Sequence, residues 1–188
     1  MTKVSRRPSL PTIAEVRGLH KVDVAPVPAE HIDGNGHLSV RFIVEIAAHG
    51  AHELLVACGL TNERRARTQQ GVFTAEHHIA YVAEMRCDSD LAVFVRVLDR
   101  SPRAVMLLAF IVDRTRRRIT AVLRAVVVSV DVDTRRPVKF APEIAHEIDR
   151  VLREHDSLGW SPPFPRWGSL SGGRRRAWFR RLRRVLRV

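Results

Sequence analysis

Several kinds of residue are scarce in this chain of 188 residues, and each scarcity excludes a class of protein. Two cysteines, Cys58 and Cys87, are too few for a disulfide framework or a zinc site. No stretch approaches the roughly 18 uninterrupted apolar residues of a membrane span. The N-terminus is basic but lacks the apolar core of a secretory signal. The sequence therefore predicts a globular protein of the reducing cytoplasm, with no metal centre.

Acidic residues are missing from one end of the chain, and this explains the net charge of +12. Residues 161–188 contain nine arginines and no Asp or Glu, whereas the first 160 residues carry 23 basic and 20 acidic side chains. The body of the protein is therefore nearly balanced, and the basicity belongs to a tail. This distribution argues against a nucleic-acid-binding body.

Composition divides the chain into four segments. Residues 1–18 form a polar lead-in, 19–157 a folded domain, 158–173 a Pro/Gly/Ser linker and 174–188 an Arg-rich amphipathic tail. Three interpretations of the tail remain open: a helix on an anionic membrane surface, a site for an acidic partner, or a disordered solubilising end. The first would place the protein peripherally at the inner membrane surface. One helical face of the tail carries Trp178, Leu182, Val185 and Leu186.

The longest periodic segment is residues 40–58, where apolar side chains recur at steps of three and four. Ser39 suits an N-cap and Gly59 a helix stop, so the segment predicts a long amphipathic helix. Its apolar face consists of Ile43, Ala47, Ala51, Leu54, Leu55 and Cys58. The opposite face could hold a metal, but its spacing favours a solvated or oligomer-facing side; it consists of Glu45, His49, His52 and Glu53.

Strand-like segments lie on both sides of this helix in the chain. A weakly alternating segment, 19–27, precedes it, and four segments rich in β-branched and aromatic residues follow at 71–85, 91–99, 104–113 and 119–133. Short breaks suit antiparallel hairpins, so the four are predicted to form a meander. A second helix is predicted at 141–155. Together these elements predict an α+β fold, with one antiparallel sheet wrapped around a long central helix.

Side chains in the first segment of this meander, 71–85, alternate. Period two places Phe73, Ala75, Ile79, Tyr81 and Ala83 on one face and Thr74, Glu76 and His78 on the other. Glu76 and His78 therefore share a face, which could line a pocket or could be a polar solvent face.

The turn before the long helix, "HIDGNGHLSV" at 31–40, is unusually polar and flexible. Asp33 could activate water or attack an electrophilic carbonyl, and free N–H groups at the helix start could bind the oxygen that becomes negative. Gly34 and Gly36 allow the backbone to approach a ligand closely. Taken alone, the same residues also fit an ordinary surface turn.

The order of strand, Asp-containing turn, long helix and antiparallel strands resembles the hotdog-fold thioesterases of the 4-hydroxybenzoyl-CoA thioesterase superfamily. The likeness is greatest to the acyl-CoA thioesterases associated with carnitine degradation, of the betainyl-CoA type. Those carry a D-Y-N-G-H-M-N turn, matched here by "DGNGHLS", and an E-x-H-x-x-Y-x-x-E strand. The strand pattern matches at Glu76, His78, Tyr81 and Glu84. The likeness covers roughly residues 20–140.

The resemblance implies hydrolysis of an acyl-CoA or acyl-carrier-protein thioester, with coenzyme A as part of the substrate and no other cofactor. Asp33 matches the family's catalytic carboxylate, a general base or a nucleophile, and His37 would orient it or contact substrate. Backbone amides of residues 36–39 would polarise the carbonyl. The expected substrate-binding residues are Asn35, Gly36, Leu38, Ser39, Glu76, His78 and Tyr81. Edge-to-edge pairing implies a homodimer or higher oligomer, for which the long strand at 119–133 would need covering.

Three positions depart from the family pattern: Gly34, Ser39 and Phe42 replace Tyr, Asn and Tyr. A quaternary-ammonium acyl group needs an aromatic cage, and a chain with one tyrosine and no tryptophan before position 160 supplies it poorly. The acyl group is therefore left open. Two alternatives remain: a non-catalytic acyl-binding or membrane-docking protein, and an (R)-specific enoyl-CoA hydratase. The hydratases place Asp and His five apart with a proline between, whereas Asp33 and His37 are four apart with none.

Overall fold

The computed structural model describes residues 10–163. Its helices are α1 (Ile13–Val16), α2 (Val40–Ala57), α3 (Asn62–Thr68) and α4 (Pro142–Asp156), with a 3₁₀ turn at Ala29–His31. Its strands are β1 (His20–Asp23), β2 (Gln70–Tyr81), β3 (Leu91–Arg100), β4 (Ala104–Asp113), β5 (Arg118–Asp131) and β6 (Arg136–Pro137). The predicted α+β architecture is confirmed, with one antiparallel sheet packed against one long helix. The tail at 174–188 and most of the predicted linker lie outside the described residues.

The strand order is β1-β3-β4-β5-β2, with β6 added to β5. The hairpins β3-β4 and β4-β5 are confirmed, but the prediction that β2 begins the same meander was wrong. β2 pairs with β5 over eleven residue pairs instead of with β3. The nine residues between β2 and β3 are too long for a tight hairpin, and they bury Met85 in the core against Leu38. The long β5 is therefore interior, and within residues 10–163 β2 forms one edge of the sheet and β1 the other.

The inner face of the sheet packs against α2, as the apolar periodicity of that helix predicts. Ala47, Leu54 and Leu55 are at most 3% exposed and join one core cluster with alternate residues of β3, β4 and β5. The closest approach is at Gly50, where an added Cβ would lie 2.5 Å from Val93 Cγ1. Because Gly50 has no side chain, the helix can lie directly on the sheet at this position.

The two ends of the described chain pack on the outer face of the sheet. Val16 of α1 is fully buried there, although residues 1–18 were predicted as a polar lead-in. Trp160, from the predicted linker, meets Phe110 edge to face at 5.8 Å, and the guanidinium of Arg96 lies 4.3 Å above its ring. Small folded segments thus extend the domain beyond both predicted boundaries, because apolar side chains near them find an apolar sheet face.

α4 closes one end of the sheet through a buried histidine. A bulge between Val97 and Asp99 disturbs the β3-β4 ladder, and the Val97 N–H donates to His155 Nδ1 at 2.8 Å. Arg96 donates to the His155 carbonyl at 2.8 Å. Burial, with a smaller contribution from Arg96, lowers the pKa of His155 to about 4, so this side chain is a neutral structural acceptor near neutral pH.

Among residues 10–163, no single helix is long and apolar enough to cross a membrane. Only α2 and α3 taken together, bent by 67°, meet that length and composition.

Candidate active site

The turn before α2 is a closed hairpin organised by Asp33. Its Oδ1 accepts hydrogen bonds from the N–H groups of Asn35 at 2.8 Å and His37 at 3.1 Å. Its own N–H donates to the His37 carbonyl, and its carbonyl accepts from Gly36, which has a φ of +78°. Only glycine adopts this left-handed conformation at little cost, so the glycine at 36 permits the turn.

The hydrogen bonds of the turn also set the charge of the carboxylate. The backbone N–H of His37, and then that of Asn35, hold the pKa of Asp33 below its usual range. These two backbone donors occupy Oδ1 and leave Oδ2 outside their hydrogen bonds. Asp33 is exposed in the single chain. It is therefore an ionised, oriented carboxylate at the start of a long helix.

A second chain of contacts holds the His37 ring beside this carboxylate. His37 Nε2 lies 2.7 Å from Glu84 Oε2, and Arg86 donates to Glu84 Oε1 at 2.6 Å. Arg86 is the main reason why the pKa of Glu84 lies below its usual range. Glu84, the last residue of the matched strand pattern, thus lies next to the Asp33 turn, as two motifs of one site require.

The expected amide donors need a correction. The N–H groups of Gly36 and His37 donate to Asp33, that of Leu38 donates to the Met85 carbonyl at 2.8 Å, and that of Ser39 to the His31 carbonyl at 2.9 Å. These four groups hold the turn together. The first N–H groups with no hydrogen bond inside the described part of the chain belong to Val40 and Arg41, at the N-terminus of α2.

Leu38 and Ser39 therefore have structural positions. The Leu38 side chain is 3% exposed in the core, and Ser39 is the N-cap residue although its hydroxyl makes no capping hydrogen bond. Phe42, at a position where the family pattern has Tyr, stacks on the His31 ring. The aromatic ring is thus used to fix the entry into α2.

The predicted faces of β2 also need a correction, because a bulge between Thr74 and Glu76 shifts the alternation by one residue. Glu76 and His78 lie on the outer face, where Arg124 approaches Glu76 at 3.4 Å and is the cross-strand neighbour of His78. Both stay on the face opposite to that of Ile79 and Tyr81, as the alternation predicts. The bulge instead places Phe73 and Ala75 on the outer face and Thr74 on the inner face, where His77 also lies. Nothing in the local sequence indicates a bulge, so only strand pairing could reveal this.

Tyr81 keeps its predicted face together with Ile79. It lies opposite Ala121 of the inner face, and it is 50% exposed at the end of β2. The neighbouring Val82 is 44% exposed. The edge of the sheet nearest the Asp33 turn is therefore apolar and uncovered in the single chain.

A cavity of about 200 Å³ lies between the second half of α2, α3 and the first half of β2. His52, Arg65 and His77 are among its lining residues. None of these three was predicted as a substrate-binding residue. His49 and Glu53 lie 3.9 Å apart on α2, and in the part of the chain that the structure describes no three potential metal ligands converge.

A sheet wrapped around a central helix, with a carboxylate turn at the helix start, defines a hotdog fold of the thioesterase type. The family model of the thioesterase-like superfamily matches residues 27–148, so the chain belongs to that superfamily. The predicted family is thereby confirmed.

Individual relatives are distant. The chain is 21% identical over 133 residues to the betainyl-CoA thioesterase of Pseudomonas aeruginosa, covering 71% of this chain and 84% of the relative. A hypothetical protein of Staphylococcus aureus, solved in complex with CoA, superposes with a TM-score of 0.71 at 18% identity, covering 77% of this chain and 90% of that one. A 1,4-dihydroxy-2-naphthoyl-CoA thioesterase of Synechocystis gives a TM-score of 0.62 at 14% identity, covering 70% and 96%.

Proposed function

We propose that the protein hydrolyses acyl-CoA thioesters and that Asp33 is the catalytic carboxylate. The observation that carries the proposal is the Asp33 carboxylate, ionised and oriented in the turn that leads into the central helix of a thioesterase-like chain. Such a carboxylate stands where a thioester carbonyl can also meet the positive end of the helix.

In the proposed reaction, Asp33 takes a proton from a water molecule as the water oxygen bonds to the thioester carbon. Negative charge develops on the carbonyl oxygen, and the N–H groups of Val40 and Arg41 stabilise it. The carbon–sulfur bond then breaks, the sulfur takes up a proton, and a free acid and coenzyme A leave. Direct attack by an Asp33 oxygen, followed by hydrolysis of the mixed anhydride, gives the same products.

The proposed active unit is a homodimer paired through β2. β2 bonds to β5 on one side only within residues 10–163, and its end exposes Tyr81 and Val82. An unpaired edge with apolar side chains favours addition of a second strand. A symmetric antiparallel pair about the middle of β2 brings the last residues of one β2 beside the first residues of the other.

This pairing joins two parts that are distant within one chain. Leu38 and His37 tie the Asp33 turn to residues 84 and 85, just beyond the end of β2, whereas the cavity lies at its beginning. Along α2, His52 of the cavity lies about 18 Å from Val40. A short acyl group cannot span that distance, but in the dimer the cavity of one copy approaches Asp33 of the other.

The thiol carrier that we propose is coenzyme A. The Staphylococcus aureus protein with a similar fold was solved in complex with CoA, which supports CoA over a carrier protein. An acyl-carrier-protein thioester is the competing substrate, and the assay below distinguishes the two by their rates of hydrolysis.

The test is release of free thiol from a panel of acyl-CoA and acyl-carrier-protein thioesters. We expect Asp33→Asn to lower kcat by about 10²- to 10⁴-fold with little change in folding. Glu30→Gln is the matched control, because it makes the same acid-to-amide change at an exposed carboxylate in the 3₁₀ turn that precedes the hairpin. Absence of hydrolysis across the panel, or full activity of Asp33→Asn, would reject the proposal.

A further inference from the structure

The cavity beside α3 has an apolar floor. Ala51, Leu55, Leu60, Ala125 and Val127 line it, and all of them are buried. Its volume of about 200 Å³ exceeds that of an engineered apolar cavity of about 150 Å³ that binds benzene. The floor can therefore hold an apolar group of about six to eight carbons.

The rim of the cavity is polar and carries no negative charge. Its exposed side chains are His52, Asn62, Arg65, Thr74 and His77, and among residues 10–163 no Asp or Glu lines the cavity. Arg65 makes no ion pair or hydrogen bond through its side chain within residues 10–163, so its charge is not neutralised there. An anionic ligand such as coenzyme A is attracted to this rim, and a cationic acyl group is repelled.

The cavity also lacks what a quaternary ammonium group needs. Within the described part of the chain, Phe73 is the one aromatic ring besides the histidines that lines the cavity, and its side chain packs on the outer sheet face with Ala75. Without a carboxylate or a set of aromatic faces, a trimethylammonium group would lose its hydration with no compensating contact. The Pseudomonas aeruginosa relative is named a betainyl-CoA thioesterase, and the cavity of this chain does not suit the trimethylammonium group of a betainyl substrate.

We propose that this cavity is the acyl subsite and that it takes an uncharged apolar acyl group of about six to eight carbons, rejecting cationic ones. The inference rests on the proposed function, because the acyl group must belong to a thioester that the partner copy's carboxylate turn attacks. The floor, the rim and the volume of the cavity together indicate this substrate class.

The first test measures binding separately from hydrolysis. S-hexyl-CoA, a thioether that cannot be hydrolysed, is titrated by calorimetry against wild type and Ala48→Leu, with CoA as the reference ligand. Ala48 lines the cavity from α2, so the larger side chain should fill it. We expect wild type to bind S-hexyl-CoA at least 10-fold more tightly than CoA, and Ala48→Leu to lose most of that difference.

The second test measures selectivity by charge. The ratio of kcat/KM for hexanoyl-CoA to that for a trimethylammonioacetyl-CoA is compared in wild type, Arg65→Glu and Arg67→Glu. Both arginines are exposed in the last turn of α3, but only Arg65 lines the cavity. We expect a ratio above 10 in wild type, a ratio at least fivefold lower in Arg65→Glu, and the wild-type ratio in Arg67→Glu.

The outcomes separate the two proposals. Tight S-hexyl-CoA binding that Ala48→Leu weakens, with no hydrolysis of any thioester, supports the subsite and rejects the proposed function. Asp33-dependent hydrolysis with a charge ratio near one, or with a ratio that Arg65→Glu and Arg67→Glu change equally, overturns the subsite and leaves the function intact. If Ala48→Leu does not fold, the two surface arginine variants decide.

Discussion

The Asp33 turn and the acyl cavity lie toward opposite ends of α2 and are built in opposite ways. The turn is exposed, and backbone hydrogen bonds to Asp33 and a glycine at positive φ shape it. The cavity is lined by buried apolar side chains from α2 and β5 and by polar residues at its rim. In the proposed function, reaction chemistry depends on local backbone geometry, whereas acyl selectivity depends on packing between elements. A single chain keeps the two apart, and the proposed dimer joins them.

Dissociating the proposed dimer should lower activity the most, because it separates the Asp33 turn from the cavity. Val82→Asp places a negative charge on the apolar end of β2, which the proposed pair sets beside the first residues of the partner's β2, so pairing would bury a carboxylate without a compensating partner. We expect monomers in analytical ultracentrifugation and a loss of about 100-fold or more in kcat/KM, because the turn and the cavity no longer meet.

Leu10→Asp is the control, since Leu10 is another exposed apolar residue and lies outside β2. It should remain dimeric and active. A wild-type protein that sediments as an active monomer would contradict the shared site.

Acidification should unfold the body before it neutralises the turn. The pKa of His155 falls from an ordinary 6.5 to about 4 on folding, so the unfolded state binds more protons between these values. The free energy of unfolding therefore has its full value above pH 6.5 and decreases as the pH falls, and the loss amounts to about 3 kcal/mol near pH 4. Asp33, whose pKa is lowered, stays ionised over this range.

The measurement is denaturant unfolding at several pH values between 7.5 and 4.5, with activity followed in parallel. His155→Gln keeps an acceptor for the Val97 N–H but does not titrate, so its unfolding free energy should depend less on pH. Equal slopes for wild type and variant would rule out His155 as the cause.

The backbone of the turn can be tested by two neighbouring glycines. Neither would bring a Cβ within 4 Å of another residue, but Gly36 has a φ of +78° and Gly34 is not in that region. Gly36→Ala should therefore cost about 1 kcal/mol and lower kcat, while Gly34→Ala should change the free energy of unfolding by only a few tenths. Thermal unfolding and thiol release measure both. Equal effects would mean that turn conformation is not what positions Asp33.

The smallest effect is expected from the support of His37. Glu84→Gln removes the charge that faces His37 Nε2, and the loss of one hydrogen bond should lower kcat by about two- to tenfold with KM unchanged. Glu45→Gln, on the exposed face of α2, is the control. A change in KM alone would instead place Glu84 in substrate binding.

The elements with strong periodicity could be predicted from the sequence because their pattern is local. The apolar steps from Ile43 to Leu55 predict α2 as observed, and the segment 104–113 coincides with β4. The Asp33 turn was found in the same way, since Asp, Asn and Gly at fixed spacing before a capped helix are a local signal. The short α3 was missed, because its seven residues are polar and have no apolar period.

What the tertiary structure decided is which residues meet. The sequence left open whether Glu76 and His78 line a pocket or face solvent, and the pairing with β5 places them on the outer face and His77 on the inner face. The sequence also predicted free backbone N–H groups at residues 36–39. Two of these groups instead donate to the backbone carbonyls of Met85 and His31. The pairing of β2 with β5 likewise depends on contacts about 50 residues apart. Local spacing in the sequence determines the identity and charge of the proposed reacting group. Pairing between distant segments determines which face of β2 each side chain occupies, where the cavity forms and which strand lies at the sheet edge. The reason is that hydrogen bonds across a sheet are set by strand register and not by neighbours in the chain.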